Sequence, residues 1–229
     1  MALDVYVGPL ARYYAGDWES VSESADRERA PSGRLRRSAE AGRILQSVLG
    51  WRQDLAAALG GDPTVLLDWN ERLDGPYFTG RPGWDGFGSL VLWAAYAEHP
   101  ALVLPTSLPE EWDNDPALVR CNADGFRSRY SHLVHNVELW LPSAFAITFE
   151  GEDVDRRRVV IGSAATLARQ LVDLNSATWK GSDAELAMWG RRQPSPNATL
   201  ELRARYGFAV MARLARRAVE YHLPMKLDF

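Results

Sequence analysis

The chain is poor in cysteine and lysine, and the scarcity of cysteine excludes whole classes of protein. Cys121 is the only cysteine among 229 residues, so neither an intramolecular disulfide framework nor a zinc site built from several thiolates can form. Lysine occurs only as Lys180 and Lys226, although lysine and arginine together number 26. This bias towards arginine is typical of a G+C-rich genome and indicates no function.

Long apolar runs and a basic face are also missing. The longest apolar run, Leu90 to Ala97, is far shorter than the roughly 20 residues that span a bilayer. The amino terminus has no basic stretch followed by an apolar one, so we expect a cytoplasmic protein that does not associate with membranes. Acidic residues outnumber basic ones by 30 to 26, and the basic residues are dispersed, which argues against nucleic-acid binding.

The common cofactor and hydrolase motifs are absent from the sequence. There is no P-loop, no glycine fingerprint for dinucleotides, no nucleophile elbow, no paired-histidine zinc motif and no EF-hand loop. We therefore expect no cofactor, and any activity must come from a site without a standard signature.

The hydrophobic periodicity predicts an α+β fold. Alternating apolar residues predict strands over 3–7 and 225–229, and a hairpin over 145–161. Helical spacing and capping residues predict helices over 39–59, 84–97, 115–140, 163–174, 182–189 and 200–221.

These elements predict one domain that covers residues 1–229. About six helices would pack on a small mixed or antiparallel sheet formed by the two termini and the hairpin over 145–161. Residues 19–38 are polar and are expected to form a mobile loop. Residues 68–83 contain many turn formers and are expected to be a long irregular segment.

The predicted helix over 115–140 decides the interpretation of three reactive side chains. His132 and His135 could share a metal ion, but the helical spacing places both on the solvent side, so no metal site is expected. Cys121 would lie too far along the same helix to pair with either histidine. We expect Cys121 to be a small buried residue.

Two segments combine aromatic rings with charged side chains and are the candidate functional sites. Four of the nine tryptophans, Trp18, Trp69, Trp84 and Trp112, stand in loops or at helix starts, and the acids beside Trp18, Trp69 and Trp84 single out those three. Flat rings and carboxylates can stack on and hydrogen-bond a sugar, a base or a partner's side chain. The candidate binding residues are Tyr6, Arg12, Tyr13, Tyr14, Asp17, Trp18, Trp69, Tyr77 and Trp84; the candidate catalytic acids are Asp68, Glu71, Asp74 and Asp85.

Several short stretches resemble one family of bacterial proteins. They are Leu3–Gly8, Arg12–Tyr14, Gly16–Glu19, Trp84–Asp85, Leu92–Tyr96, Glu138–Pro142 and Leu223–Met225. The family has no established activity, so the resemblance implies a single bacterial, cytoplasmic domain and supplies no catalytic residue.

Three hypotheses from different classes follow. The first is a non-catalytic cytoplasmic binding protein, such as an inhibitor or immunity-type protein, that presents an aromatic and acidic surface to a protein partner. The second is an enzyme without a standard motif, a hydrolase of a small sugar or nucleoside-like molecule that uses two of the four candidate acids. The third is a scaffold whose aromatic residues only pack the core.

Overall fold

The computed structural model describes residues 3–21, 38–59 and 67–229. In these ranges, six strands form one mixed sheet, and eight α-helices surround it. The strands are β1 (Asp4–Val7), β2 (Phe78–Gly80), β3 (Val137–Leu141), β4 (Phe149–Glu152), β5 (Arg158–Ser163) and β6 (Met225–Asp228). The helices are α1 (Leu10–Tyr14), α2 (Ser38–Leu59), α3 (Gly83–Glu98), α4 (Pro116–Cys121), α5 (Ser131–Val134), α6 (Ala164–Ala177), α7 (Asp183–Trp189) and α8 (Leu200–Tyr221).

The strand order is β2-β1-β6-β3-β5-β4. The first and last strands of the chain, β1 and β6, are therefore neighbours, and neither lies at an edge of the sheet. β1 pairs antiparallel with both β2 and β6, and β3 runs antiparallel to β6 and parallel to β5. β4 and β5 form the predicted hairpin, although its first strand begins at Phe149 rather than 145. The α+β fold with a mixed sheet is therefore confirmed.

Helices cover both faces of the sheet. Val5 and Trp140 belong to a core formed with α3, α6 and α8. Leu139 and Ile161 point to the other face and pack in a second core with α1 and with Trp51 of α2. Because helices cover both faces, the strand side chains that point to either face are buried, and some of them are polar.

The helix predicted over 115–140 is wrong beyond Cys121. Asp115 does cap the helix, since its carboxylate accepts a hydrogen bond of 2.8 Å from the backbone N–H of Ala117. The chain then turns through Gly125, whose φ is +81°, and continues as the short α5 and as β3. Val119 and Phe126, expected in the core, are 55% and 38% exposed. The apparent stripe came from three successive elements.

The remaining helices follow their capping signals. The Ser163 hydroxyl accepts from the Thr166 N–H at the start of α6, and Ser182 and Glu185 form the predicted capping box of α7. The loop expected over 19–38 lies mostly outside the described residues. The segment expected to be irregular over 68–83 contains the edge strand β2. Across the described ranges, no helix combines the length and apolarity needed to cross a membrane.

Helices α3 and α8 cross with their backbones in contact at two glycines. A Cβ added at Gly207 would lie 2.1 Å from the carbonyl oxygen of Gly86, far inside any normal contact distance. Only a residue without a side chain permits this approach.

Adding one methyl group should separate these helices. We expect Gly207→Ala to lower the free energy of unfolding by about 2–3 kcal/mol, because the backbone of α3 cannot yield locally. Gly50→Ala is the matched control, since Gly50 lies within α2 with nothing near its added Cβ. That change should raise the free energy of unfolding by about 0.5–1 kcal/mol. Urea denaturation measures both, and equal effects would contradict the crossing geometry.

Candidate functional site

Seven of the predicted binding residues lie together beside α1. The rings stack or meet edge to face with centroids 5.0–6.1 Å apart. Trp18 stacks on Tyr13 at 5.5 Å and meets the buried ring of Tyr6 at 5.2 Å. We call this set the aromatic cluster: Tyr6, Arg12, Tyr13, Tyr14, Asp17, Trp18 and Tyr77.

Hydrogen bonds fix the aromatic cluster in one arrangement. The Tyr13 hydroxyl donates to Asp228 Oδ1 at 2.6 Å, which ties α1 to the end of β6. Arg12 donates from Nε to the carbonyl oxygen of Asp17 at 2.6 Å and from Nη1 to that of Gly75 at 2.7 Å. Its guanidinium lies 4.3 Å from the centre of the Tyr77 ring. The exposed side of the cluster is therefore rigid before any partner arrives.

Three hydroxyls of the aromatic cluster, those of Tyr6, Tyr13 and Tyr14, are protonated. Burial raises the pKa of Tyr6, Tyr13 and Tyr14 well above its ordinary value of 10.0. For Tyr13 the hydrogen bond to Asp228 raises the pKa further. These groups can donate and accept hydrogen bonds, but none of them is poised to act as a base at neutral pH.

Glu71, a candidate catalytic acid, instead anchors α1. The carboxylate is buried and accepts a hydrogen bond of 2.8 Å from the backbone N–H of Ala11, at the start of that helix. Its other oxygen accepts from the indole N–H of Trp69, which is itself buried. Burial raises the pKa of Glu71, and these hydrogen bonds oppose the rise. The guanidinium of Arg52 lies 4.3 Å from the centre of the Trp69 ring and makes a cation–π contact with it.

Two of the other three candidate acids pair with arginines that Glu71 does not contact. Asp74 is exposed and pairs with Arg72, two residues away, at 2.7 Å. Asp85 pairs with Arg203 of α8 at 3.0 Å. Asp68 is exposed. The structure therefore shows no described contact that joins two of the four candidate acids.

Trp84 also lies outside the aromatic cluster. Its ring is 37% exposed and meets Phe229 edge to face at 5.2 Å. Trp69 is linked to α1 through Glu71 and through the second core, but its ring does not stack with those of the aromatic cluster. Of the nine predicted binding residues, these two tryptophans are the ones that the structure separates from the rest.

A buried ion pair that the sequence did not predict lies under the aromatic cluster. Lys226 of β6 lies between Tyr6 and Leu139 on neighbouring strands, and its Nζ is 3.2 Å from Asp153 Oδ2. Both side chains are almost completely buried. The ammonium group also lies 5.6 Å from the centre of the Tyr13 ring. Asp153 stays in place because its other oxygen accepts two backbone N–H groups of the β4–β5 turn, those of residues 155 and 157.

Removing one member of this pair should cost more than removing both. Lys226→Met leaves the Asp153 carboxylate buried without its cation, so we expect a loss of about 3–5 kcal/mol in the free energy of unfolding. The double change Lys226→Met with Asp153→Asn should be more stable than Lys226→Met alone. The exposed pair of Arg158 and Glu150 is the control, and Arg158→Met should cost less than about 1 kcal/mol. Urea titrations that show the double variant no more stable than Lys226→Met would contradict this account.

His132 is buried, so its predicted position on a solvent-facing helix surface is wrong. Its Nδ1 accepts the backbone N–H of Ser163 at 2.8 Å, and its Nε2 lies 3.2 Å from the carbonyl oxygen of Ala146. These partners fix the neutral tautomer that carries its proton on Nε2. Burial lowers the pKa of His132 below its ordinary value of 6.5. His132 is thus a structural residue of the core.

His135 and Cys121 line one cleft of about 340 Å³, so the prediction that they lie far apart is also wrong. The His135 Nδ1 lies 3.0 Å from Thr148 Oγ1, and burial lowers the pKa of His135. The predicted burial of Cys121 is confirmed. Burial and the nearby Glu98 carboxylate raise the pKa of its thiol to about 12, so the thiol is not a nucleophile at neutral pH. Within the described ranges, no three histidine, cysteine or carboxylate side chains meet closely enough to hold a metal ion.

The two histidines make stability dependent on pH. Protonation of His132 would place a hydrogen on Nδ1, where it would face the N–H of Ser163. His132 therefore has a lower pKa in the folded chain than in the unfolded chain. The stabilisation is complete above the ordinary pKa of 6.5 and is lost as the pH falls from there towards the folded-state pKa.

We therefore expect the free energy of unfolding to fall as the pH is lowered below 6.5. This dependence on pH should be weaker in His132→Gln, because the glutamine side chain does not titrate. The control is His222→Asn, because His222 is exposed and asparagine tolerates its left-handed φ of 52°. Urea titrations at several pH values measure the slopes. An unchanged slope in His132→Gln would refute the assignment.

No protein-family model matches the chain, and no curated protein or solved structure matches it significantly. The resemblance to a bacterial family therefore adds no functional residue to the site. The residues that the sequence did not predict are Lys226, Asp228 and Asp153. The one available signal was that Lys226 is one of two lysines in a chain that otherwise uses arginine.

Proposed function

We propose that the protein is a non-catalytic binding protein whose aromatic cluster holds a protein partner. The observation that carries this proposal is the half-buried ring of Trp18, stacked on Tyr13, whose hydroxyl is bound to Asp228. Tryptophan, tyrosine and arginine are the residues that most often anchor protein interfaces. The cluster presents all three in one rigid group.

Rigidity is the feature that suits the aromatic cluster to binding. Side chains that are already held in place lose little conformational entropy when a partner docks, so more of the contact energy appears as affinity. Arg12 is held by Gly75 and Asp17, and Tyr77 lies under its guanidinium. Asp17 and Asp74 are exposed beside this group and would supply polar contacts at the rim.

The side-chain chemistry supports binding over catalysis. Tyr6, Tyr13 and Tyr14 are protonated, and the Cys121 thiol is neutral. Glu71 is occupied by backbone and indole donors. A hydrolase that uses two of Asp68, Glu71, Asp74 and Asp85 would need both carboxylates free at one cavity. Asp74 and Asp85 pair with different arginines, and Glu71, which shares Arg52 with Asp68, is occupied by the N–H groups of Ala11 and Trp69.

The finer proposal is a cytoplasmic protein of the inhibitor or immunity type. A single buried cysteine suits a reducing compartment, where disulfides do not persist. A rigid aromatic surface without catalytic groups is what a protein needs to occlude a partner rather than to alter it.

Loss of the Trp18 ring should weaken the interaction without unfolding the chain. We expect Trp18→Ala to weaken the complex by about 2 kcal/mol, about 30-fold in Kd, because the ring is the central anchor. Trp84→Ala is the matched control, since it removes an exposed ring of the same type outside the aromatic cluster.

The partner is first identified by affinity capture from a lysate of the native organism, with both variants run in parallel. A protein retained by the wild type and by Trp84→Ala, but lost with Trp18→Ala, is purified and titrated by calorimetry. Circular dichroism verifies that each variant is folded. Equal affinities for Trp18→Ala and wild type, or no protein retained selectively, would overturn the proposal.

A further inference from the structure

A second surface lies on the other side of the sheet, between α7 and the start of α8. It is a groove of about 660 Å³, a size typical of ligand and peptide sites. We call it the α7–α8 groove; its lining is Met188, Trp189, Arg192, Gln193, Pro194, Ser195, Asn197, Ala198, Thr199, Leu202 and Arg205.

Core aromatic residues fix the floor of the α7–α8 groove. The Trp189 ring meets Trp179 edge to face at 5.6 Å and Phe208 at 6.4 Å. Trp179 in turn stacks on Trp93 of α3 at 5.1 Å. The guanidinium of Arg205 lies 5.0 Å from the centre of the Trp189 ring and pairs with Glu201 at 2.6 Å. The groove is therefore formed before any ligand binds.

Apolar side chains at the rim of the groove remain uncovered. Met188 is 57% exposed and Leu202 is 54% exposed, although both line the same groove as Trp189. Flexible methionine side chains are common on surfaces that bind peptides, because they adapt to different apolar partners. An occupant that covers both rim residues and the floor must extend across the whole groove, as a peptide segment does.

The charge of the groove specifies the character of that segment. No carboxylate lines the groove, and because Glu201 balances the charge of Arg205, the uncompensated charge of the lining is that of Arg192. Arg192 is exposed and makes no ion pair with any residue of the described chain, and its neighbour Arg191 is exposed as well. This local positive charge opposes the net charge of -4 of the whole protein. Such a groove attracts carboxylates and repels cations.

We propose that the α7–α8 groove binds an acidic amphipathic segment of a protein partner. Apolar side chains of the segment would pack on Trp189, Met188 and Leu202, and its carboxylates would pair with Arg192. The mode is that of an amphipathic helix in an apolar groove. The site lies on the opposite face of the sheet from the aromatic cluster, so either proposal can fail without the other.

A model peptide tests the groove directly. The probe is a fluorescein-labelled peptide of about 14 residues with leucine at positions i, i+3, i+4 and i+7 and glutamate elsewhere, and its counterpart carries lysine in place of glutamate. Fluorescence anisotropy should show saturable binding of the acidic peptide, about tenfold tighter than the lysine peptide and weaker at high salt. Arg192→Glu and Leu202→Ser should each weaken the binding about fivefold or more, because each removes one half of the recognition.

Matched changes elsewhere serve as controls. Arg216→Glu reverses an exposed charge on α8, and Val172→Ser removes an exposed apolar side chain on α6. Both variants, and Trp18→Ala, should bind the acidic peptide as the wild type does. The proposal is overturned if the acidic peptide does not bind, if both peptides bind equally, or if the controls weaken binding as much as the groove variants. Binding of phosphatidylserine vesicles without binding of the peptide would assign the groove to a membrane surface and would also overturn it.

Discussion

The antiparallel pairing of β1 with β6 is the interaction on which the candidate site depends. It aligns Tyr6 with Lys226 and Asp4 with Asp228, so residues from opposite ends of the sequence become neighbours on one face of the sheet. Tyr13 then reaches Asp228 because α1 follows β1 after only Gly8 and Pro9. Without this pairing, the rings of the aromatic cluster would have no floor and Tyr13 would have no hydrogen-bond acceptor.

Coverage of both sheet faces explains why a buried ion pair lies beneath the aromatic cluster. A strand in an open sheet directs its polar residues to water, whereas here Lys226 points into a second core and needs a partner there. Asp153 provides that partner from the β4–β5 turn, and the aromatic rings of α1 enclose the pair. The α1 helix has only five residues, too few for independent stability, so Glu71 and the surrounding contacts must hold it. The rigidity proposed for binding therefore comes from the layers around α1 and not from the helix itself.

The sequence predicted the fold class and most element types because its local signals are strong. Alternation marked both terminal strands, and Ser163, Ser182 and Asp115 marked three helix starts. The helix extended to residue 140 failed because a stripe of apolar residues cannot distinguish one long helix from a turn, a short helix and a buried strand. That single error also misplaced His132 and His135, since their exposure was deduced from the helix.

The candidate site was predicted only in part, for a related reason. Proximity in sequence identified Tyr6, Arg12, Tyr13, Tyr14, Asp17 and Trp18, which belong to β1, α1 and the residues that directly follow α1. Tyr77 joins them because β2 pairs with β1, a contact that no local pattern predicts. Lys226, Asp228 and Asp153 come from distant segments, so only the sheet topology could reveal them. Glu71 looked like a catalytic acid because sequence shows the carboxylate but not the backbone donors that occupy it.

The meeting of β1 with β6 also has a consequence for the order of folding. During synthesis from the amino end, β1 and α1 are made about 200 residues before β6, one of the two strands that pair with β1. Contacts between residues this distant in sequence form slowly, because a long loop must close before they contribute any stability. The surface that we assign to binding is thus among the last parts of the molecule to become competent.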